Sequence, residues 1–496
     1  MWFTIVALFT GAAMAMEWTI TIEGRNEFGE VCRKQIQVDK SWERLRDGEI
    51  GLSIDDGKAI MKSLQSAVVN QEMETYALFR RVCPDCHAFR PVKDYTKRRI
   101  RTVFGIVEVR NPRWMLCQDC HPGMVGGFTV LKEICPDRAT PELMELTARL
   151  GSMLPYRQAA SMLAEFLPIE PTETHATVRK RTIKIGGLLD DQLVKEAWRS
   201  RSQIADRCQL EMQLPGDRRK EFVISVDTAH IRGAGPNMAR NFEIVVARCG
   251  RGGRGDVGGR YFVTSNTDQS EIRDRSLQAL RSEGYCGLGD VTVISDGAEI
   301  LKGYPAQCRR RKHIIDWFHI AMKVQPMQQI ADHLVRSQSD LVETLPTIDR
   351  DIRAVKWRLW HGRADRAIRD LDRIIAQLQL LRVDDLCAGR LHNLGSQLLT
   401  YIRSNRGAIV NYGARYRAGL RVATTLAESA VNSLVAKRMV KKQQMRWSQH
   451  GAHMLMQVRT ADINGELRDR LRARFREPEP QVPSLFKPKP PLLRAA

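Results

Sequence analysis

The sequence is short of acidic side chains and of long apolar runs. Its 496 residues contain 78 lysines and arginines against 57 aspartates and glutamates, which gives a formal net charge of +21. This excess favours a polyanionic partner over a basic surface without a specific ligand. No apolar run reaches the roughly 18 residues that a membrane-spanning helix needs, and no amphipathic anchor accompanies the charge. Nucleic acid is therefore favoured over a membrane surface.

Three other signals are missing or incomplete. The glycine-rich stretch GRGGRGDVGGR is followed by neither GK[ST] nor a helix, which argues against a phosphate-binding loop. The eleven cysteines are odd in number and spread along the chain, as in a reduced cytosolic protein rather than a disulfide framework. The apolar opening MWFTIVALFTGAAMAM is like a short signal peptide but lacks its basic n-region. We interpret it as an extension upstream of the true start codon.

Two CxxC pairs are the first chemical signal. They place four thiols on two tight turns, and four such ligands make a closed tetrahedral zinc site: Cys83, Cys86, Cys117 and Cys120. The stretch between them, RRIRTVFGIVEVRNPRWML, predicts two strands broken at Gly105, so a hairpin would bring the pairs together as in a zinc ribbon. We therefore expect a structural Zn²⁺, and a redox CxxC is the less favoured alternative. His87 and His121 follow the pairs and are expected at the surface rather than as substitute ligands.

The hairpin also carries a set of basic side chains that could contact phosphates, although a solvated face is an equal alternative. These are Arg98, Arg99, Arg101, Arg110 and Arg113. Residues 139–186 then change character. TPELMELTARLGSML and YRQAASMLAEFL have helical spacing, and Pro141 lies near the first helix start. TETHATVRKRTIKIG predicts a third short helix with a basic face, which favours a DNA-binding helix-turn-helix over a plain linking bundle. Its candidate DNA contacts are Arg179, Lys180, Arg181 and Lys184.

From residue 221 the pattern becomes α/β. The strand-like runs are 222–231, 242–249, 261–266 and 291–297, with a helix at 270–284 and a further strand near HIIDWFH. This order is typical of a ribonuclease-H-like domain, in which the first and fourth strands are neighbours. Asp227 and Asp296 end those two strands and should lie together. Paired carboxylates repel unless divalent cations lie between them, so we expect Mg²⁺ or Mn²⁺ there.

A two-metal site of this kind needs a third acid, usually on a helix. Glu428 is the candidate, because small neighbours in TTLAESAVNSLVAKRMVKKQQMRW allow close packing and Asn432 follows one turn on. A solvated or salt-bridged side chain is the plain alternative for any single acid. Basic residues further along the predicted helix suit a DNA backbone: Lys437, Arg438, Lys441 and Lys442. The pattern of residues 317–410 is mainly helical, which predicts an all-α insertion before the helix of Glu428. A separate helical domain is the alternative.

Together these stretches resemble DDE transposases of bacterial insertion sequences, most closely the ISKra type. The resemblance covers roughly residues 70–460 and is carried by CPDC…CQDC, SVDTAHIRG, VISDGAE, KHIIDWFHIAMK, KWRLWHG and ESAVNSLVAKRMVKKQQMRWSQHGAHMLMQVR. It implies a catalytic acidic triad and a D-x-x-H signature near the active site: Asp227, Asp296 and Glu428, and Asp316 and His319. It also implies an aromatic side chain near a flanking DNA base, for which Trp360 is the candidate.

The resemblance implies an enzyme of DNA recombination. It would cleave double-stranded DNA at the terminal inverted repeats of its insertion sequence and transfer the strands to target DNA. It would use Mg²⁺ or Mn²⁺, need no nucleotide cofactor, and act as a homodimer assembled on DNA. We expect a cytoplasmic, nucleoid-associated bacterial protein. Two other functions stay open: a ribonuclease-H-like nuclease or resolvase that cuts without joining, and a non-catalytic DNA-binding regulator.

The predicted architecture is multidomain α/β. A ribonuclease-H-like catalytic domain with an all-α insertion is preceded by a zinc ribbon and a helix-turn-helix module. The predicted segments are an N-terminal region (1–75), the zinc ribbon (76–135), the helix-turn-helix with linker helices (136–215), the first part of the catalytic core (216–316), the helical insertion (317–415), the last part of the core with the catalytic helix (416–465) and a proline-rich tail (466–496). The composition of the tail predicts extended or disordered chain.

Overall fold

The structure is a computed structural model of a mixed α/β chain. It describes residues 15–25, 29–124, 126–169, 173–207, 221–234, 241–256, 258–265, 268–285, 289–298, 311–338, 345–380, 386–439 and 445–474. The chain divides into two compact units, one formed by Met1–Thr182 with Glu466–Ala496 and the other by Ile183–Gly465. Within the described residues, no helix combines the length and the apolarity that crossing a bilayer requires.

The first unit combines two small antiparallel sheets with a group of helices. Its described elements are β1 (Ala15–Arg25), β2 (Val31–Ser41), α1 (Trp42–Arg46), α2 (Ile54–Phe79), β3 (Val92–Thr102), β4 (Gly105–Met115), β5 (Gly127–Thr129), α3 (Val130–Ile134), α4 (Pro141–Met153), α5 (Tyr156–Phe166) and the start of α6 (His175–Arg207). β1 pairs with β2, and the other sheet has the order β3-β4-β5.

The β3–β4 hairpin forms because two alternating runs meet at a glycine. Gly105 has φ +108°, a backbone conformation that other residues rarely adopt. Val107 and Val109 of β4 pack with Ile100 of β3 against a cluster that includes Val69 of α2. The hairpin predicted between the two CxxC pairs is therefore present, and α2 covers its apolar face.

The helices after the hairpin agree with the sequence at their start and differ at their end. The Thr140 hydroxyl accepts a hydrogen bond from the Leu143 N–H, and Pro141 occupies the first turn of α4, as predicted. The prediction of a short third helix is wrong, because α6 runs for 33 residues. Gly186 does not end α6. Its lack of a side chain lets the backbone of Met454 approach closely, so packing explains the glycine.

The second unit contains the central sheet and most of the helices. Its described elements after α6 are β6 (Phe222–Arg232), β7 (Asn241–Arg251), β8 (Arg260–Thr264), α7 (Gln269–Ser282), β9 (Val291–Ser295), β10 (Arg311–Ile315), α8 (Trp317–Gln338), α9 (Leu345–Trp360), α10 (Ala364–Leu380), α11 (Leu386–Ser404), a 3₁₀ turn (Arg406–Ala408), α12 (Tyr412–Arg417), α13 (Thr425–Ala430), a π-helix (Val431–Ala436) and α14 (Gln449–Ile463). The last described helix, α15 (Leu467–Ala473), belongs to the first unit and lies where the sequence predicts the start of the tail.

The central sheet positions the candidate site. Its strand order is β10-β9-β6-β7-β8, so the first and fourth strands of the unit are neighbours, as expected. β6 runs parallel to β9, and β9 runs parallel to β10, whereas β7 and β8 are antiparallel to their neighbours. The carboxyl ends of β6, β9 and β10 therefore point to the same edge of the sheet.

Helices α8 to α11 contribute most of one apolar core, which also includes Ile315 of β10 and Tyr412 of α12, and the described residues of 317–410 are mainly helical, as predicted. The buried residues of this core include Leu359, Leu371, Ile374 and Leu398. The run KWRLWHGRADRAIRDLDRIIAQLQLL is interrupted at Gly362, whose φ of +71° ends one helix before the next begins. This run therefore forms two helices, α9 and α10.

The helix predicted around Glu428 is also shorter than expected. α13 is only six residues long and passes directly into the π-helix Val431–Ala436. A π-helix is rare and is often found at functional sites. Two of the predicted DNA contacts, Lys441 and Lys442, lie outside the described residues.

Candidate active site and metal centres

Three aspartates lie where the pairing of the three parallel strands ends, although the prediction that Asp227 ends its strand is wrong: β6 continues to Arg232, and Asp227 pairs with Val246 of β7. Asp227 lies two positions beyond Ser225, the last residue of β6 that pairs with β9, and Asp296 follows directly after the end of β9. Asp316 follows directly after the end of β10. Ligands of open α/β sheets bind outside the carboxyl ends of the strands, which makes this edge the expected place for a site.

Hydrogen bonds hold the first two aspartates in place. The N–H of Thr228 donates to Oδ1 of Asp227 at 2.8 Å, and the N–H of Ala298 donates to Oδ1 of Asp296 at 2.9 Å. The hydroxyl of Tyr401, from α11, donates to the backbone carbonyl of Asp296 at 2.7 Å. No signal in the sequence selects Tyr401, because this contact depends on how the helical segment folds.

Asp316, His319 and Glu428 form a second group at the same edge. Asp316 is fully buried and accepts hydrogen bonds from the Phe318 N–H at 2.8 Å and from the Thr424 hydroxyl. His319 Nδ1 lies 3.0 Å from Asp316 Oδ2 and 4.0 Å from Glu428 Oε1. The ligand atoms of these three side chains lie within 4.8 Å of one another, so the group could hold a metal ion.

The pKa shifts show that these groups share one electrostatic environment. Burial raises the pKa of Asp227, and the carboxylates of Asp296 and Asp316 raise it further. Burial and the Asp316 carboxylate also raise the pKa of Glu428, to which Asp227 contributes. The hydrogen bond to Asp316 raises the pKa of His319. A divalent cation would offset the repulsion among the carboxylates, and carboxylate oxygens are the ligands that suit Mg²⁺ or Mn²⁺.

The three acids that the sequence selects are therefore close enough to influence one another. The pKa of Asp227 responds to Asp296, and the pKa of Glu428 responds to Asp227. Their catalytic role stays a prediction. Asn432, expected to help position Glu428, is exposed in the π-helix.

Trp360 is partly buried among aromatic residues of the helical segment. The centre of its ring lies 4.7 Å from that of Trp317 and 6.3 Å from that of Tyr412. The contact with a DNA base that the resemblance implies for Trp360 stays a prediction. Trp357, one turn earlier on α9, is 63% exposed and stacks on His361.

The four cysteines of the CxxC pairs form a separate candidate metal centre in the first unit. Cys86 Sγ and Cys117 Sγ are 3.3 Å apart, Cys83 Sγ and Cys120 Sγ are 3.8 Å apart, and the four sulfur atoms lie within 4.8 Å of one another. Tetrahedral zinc with Zn–S bonds of about 2.3 Å places its sulfur ligands about 3.8 Å apart, so the cluster could bind zinc. Backbone N–H groups of Cys86 and Asp85 lower the pKa of Cys83 to about 6.

The histidines that follow the pairs are exposed, as expected: His87 and His121. Three of the hairpin arginines that could contact phosphates interact instead with other side chains of the protein. Arg113 pairs with Asp94, and Arg101 lies 3.1 Å from Glu173. The guanidinium of Arg110 lies 3.9 Å from the centre of the Tyr95 ring.

The basic residues proposed to contact DNA fall into two groups. Four have exposed side chains: Arg179, Lys180, Lys184 and Lys437. Arg181 is instead buried, with Nη1 2.6 Å from Glu173 Oε2, because its helical neighbours leave it facing the inside of the unit. Arg438 is only 2% exposed, and its guanidinium lies 4.9 Å from the centre of the Trp447 ring. These two side chains do not offer a phosphate contact, which corrects the prediction for both.

Comparisons with known proteins find little similarity. No protein-family model matches the chain, and no curated protein matches it. Among solved structures, the chain is similar to the Drosophila P element transposase strand transfer complex, with 11% identity, 66% of this chain and 93% of that chain covered, and a TM-score of 0.32. A similarity of this size assigns neither a family nor a function to the chain.

Proposed function

We propose that this protein is a DDE transposase, with a ribonuclease-H-like core that is interrupted by an all-α insertion. The observation that carries the proposal is the gathering of acidic side chains at one edge of the central sheet. Asp227 and Asp296 come from neighbouring parallel strands, and Glu428 comes from a helix far along the chain. The raised pKa values of Asp227 and Glu428 suit a site that binds divalent cations.

The side chains of this site have distinct roles in the proposed reaction. Asp227, Asp296 and Glu428 would hold the divalent cations, which when bound supply charge neutralisation and activate the attacking oxygen. Asp316 accepts hydrogen bonds from its surroundings and orients His319, which faces the same carboxylates. The proposed role of the His319 imidazole is to share a divalent cation with Asp316 and Glu428, since the ligand atoms of these three side chains lie within 4.8 Å of one another.

The reaction consists of two phosphoryl transfers. Water attacks phosphorus at the element end, and the bond to the 3′ oxygen breaks, which leaves a 3′-hydroxyl and a 5′-phosphate. That 3′-hydroxyl then attacks a phosphodiester of the target, forms a new bond to phosphorus and releases the target's own 3′-hydroxyl. One phosphoester bond forms for each bond that breaks in the second step, so no nucleotide cofactor is required.

DNA binding would use the basic charge of the chain. The net charge of +21 supplies a salt-dependent affinity for phosphates, and contacts to base edges would set the sequence preference. The four-cysteine hairpin and the helices α4 to α6 are the proposed end-binding parts, with Arg179, Lys180 and Lys184 exposed on α6. Since each site processes one DNA end, a homodimer assembled on DNA is the proposed active form.

The decisive experiment uses purified protein and linear DNA that carries the sequences flanking its own gene. We expect nicks at defined positions with Mg²⁺ or Mn²⁺, no nicks in EDTA, and joined products when pre-cleaved ends are supplied with a target plasmid. Asp227→Asn should abolish cleavage while DNA binding is retained. Asp290→Asn is the matched control, because Asp290 precedes β9 at the opposite end of that strand.

The outcomes separate the three functions that the sequence leaves open. Cleavage without any joined product would indicate a nuclease or resolvase rather than a transposase. Binding without cleavage under all divalent cations would indicate a non-catalytic regulator. Cleavage by pure Asp227→Asn protein at the wild-type rate would reject the proposed site.

A further inference from the structure

A buried arginine lies against the π-helix that follows Glu428. Arg459 belongs to α14, whose residues are buried over most of its length, and is 8% exposed. Its Nε donates to the carbonyl oxygen of Leu434 at 2.6 Å, and its Nη2 donates to the carbonyl oxygen of Ser433. One guanidinium therefore binds two successive backbone carbonyls of the π-helix.

The backbone geometry explains why these carbonyls need such a partner. The N–H of Lys437 bonds to the carbonyl of Asn432, and the N–H groups of Arg438 and Met439 both bond to the carbonyl of Val435. These three amides therefore skip the carbonyls of Ser433 and Leu434. A buried carbonyl without a partner costs free energy, and a cation at the C-terminal end of a helix is favourable.

The position of Glu428 depends on this short helical segment. α13 has six residues, which is too few for a helix to be stable without tertiary contacts. α13 and the π-helix both pack against β6, the strand that carries Asp227, and the π-helix also packs against α14. The segment is thus fixed at one side by the sheet and at its end by Arg459.

We propose that Arg459 is a positioning residue for the candidate active site: by capping the π-helix it fixes the Glu428 carboxylate beside Asp316 and His319. This inference rests on the proposed function, since it assigns Arg459 to the geometry of that metal site. Arg459 itself contacts neither the cation nor DNA. Its contribution is transmitted through the backbone from Leu434 to Glu428.

The test measures metal binding separately from DNA cleavage. Binding of Mn²⁺ to the full chain is followed by electron paramagnetic resonance for wild type, Arg459→Met and Arg459→Lys. Loss of a group that hydrogen-bonds directly to a metal ligand typically lowers metal affinity by about 10- to 100-fold. Arg459 bonds to the backbone of the π-helix rather than to Glu428, so we expect a loss near the lower end, about 10-fold, in Arg459→Met, a smaller loss in Arg459→Lys, and unchanged DNA affinity in both.

Arg275→Met is the matched control, since Arg275 is also a buried arginine of this unit but pairs with Asp190 and Glu271. It should lower the thermal midpoint with little change in Mn²⁺ affinity. Wild-type Mn²⁺ affinity in folded Arg459→Met would overturn the positioning role and leave the proposed function intact. If Arg459→Met does not fold, an Arg459→Lys affinity equal to that of wild type would overturn it. Absence of Mn²⁺ binding and of cleavage in wild type would instead reject the proposed function.

Discussion

His319 Nδ1 lies 4.0 Å from Oε1 of Glu428, although the whole helical segment from α8 to α11 separates the two residues along the chain. This contact places a nitrogen ligand among carboxylates, which is unusual for a site that serves Mg²⁺ alone. Which divalent cation supports DNA nicking should therefore depend on His319.

We expect His319→Asp to change which cation supports DNA nicking. An imidazole nitrogen favours Co²⁺ over Mg²⁺, whereas an additional carboxylate favours the harder ion. The ratio of nicking rates in Co²⁺ and Mg²⁺ should therefore fall by several-fold in the variant, measured on linear DNA with the gene's flanking sequences. His361→Asp, at an exposed histidine of the helical segment, is the control and should keep the wild-type ratio. An unchanged ratio in His319→Asp would argue against a role for His319 as a ligand.

Zinc should be bound by the four-cysteine cluster. Purified protein is expected to release one zinc equivalent per chain from this cluster on treatment with a thiol-blocking reagent, measured with a colorimetric chelator. Cys117→Ser should lose most of this zinc and lower the thermal midpoint of the first unit, because zinc binding contributes directly to folding of such small domains. Cys32→Ser changes an exposed cysteine outside the cluster and should retain the metal. Equal zinc content in both variants would contradict the assignment.

Exposed and buried basic residues of α6 should affect different properties. The exposed side chains should contribute to DNA affinity, and the buried Arg181 should contribute to stability. Replacing exposed Arg179, Lys180 and Lys184 by alanine should weaken DNA binding and reduce the salt dependence of affinity, by about 0.9 in logarithmic slope for each phosphate that is no longer neutralised. Arg181→Met should instead destabilise the protein by about 1–3 kcal/mol, because it removes one of the two arginines, with Arg101, that pair with buried Glu173. Fluorescence anisotropy at several salt concentrations and thermal denaturation measure the two effects. Loss of stability in the alanine variant of the three exposed residues, with none in Arg181→Met, would contradict this assignment.

Acid should remove a specific part of the stability of the second unit. Burial disfavours ionisation of Asp190, yet its hydrogen bond with His453 and the charge of Arg275 outweigh burial and lower its pKa to about 2, from 3.8. A lowered carboxyl pKa stabilises the folded state above the unfolded-state value and loses this effect as pH falls through the folded-state value. Because solvent partly screens this group, the contribution is roughly 1–2 kcal/mol.

The comparison with Asp190→Asn isolates this effect. The stability advantage of wild type over the variant should be complete at pH 5 and shrink below pH 3.8, as measured by denaturant unfolding at each pH. Asp191→Asn changes the adjacent exposed aspartate and should follow the wild-type pH dependence. An advantage that stays constant down to about pH 2 would show that the pKa of Asp190 is not the source of this stability.

Much of the local structure follows from the sequence for clear physical reasons. The strands of the central sheet are short apolar runs bounded by polar or glycine-rich stretches, so their positions were predictable within a few residues. The CxxC pairs identify themselves by ligand type and spacing, and Gly105 marks the hairpin between them. Helix ends were less predictable. Gly186 does not stop α6, since a glycine serves close packing as readily as it ends a helix.

The sequence by itself determined that Asp296 follows a strand, which cysteines form pairs and where the basic charge is concentrated, because these properties depend on residue type and on local spacing, but it did not determine where β6 ends, since that strand continues past Asp227 to Arg232. Only the tertiary structure decided which basic residues are exposed, since Arg181 and Arg438 are buried while their neighbours are not. It also decided that Tyr401 and Thr424 hydrogen-bond to Asp296 and Asp316, and that Arg459 binds the backbone of the π-helix. Those contacts join segments that are distant along the chain, and long-range packing leaves no periodic pattern in the sequence from which to predict them.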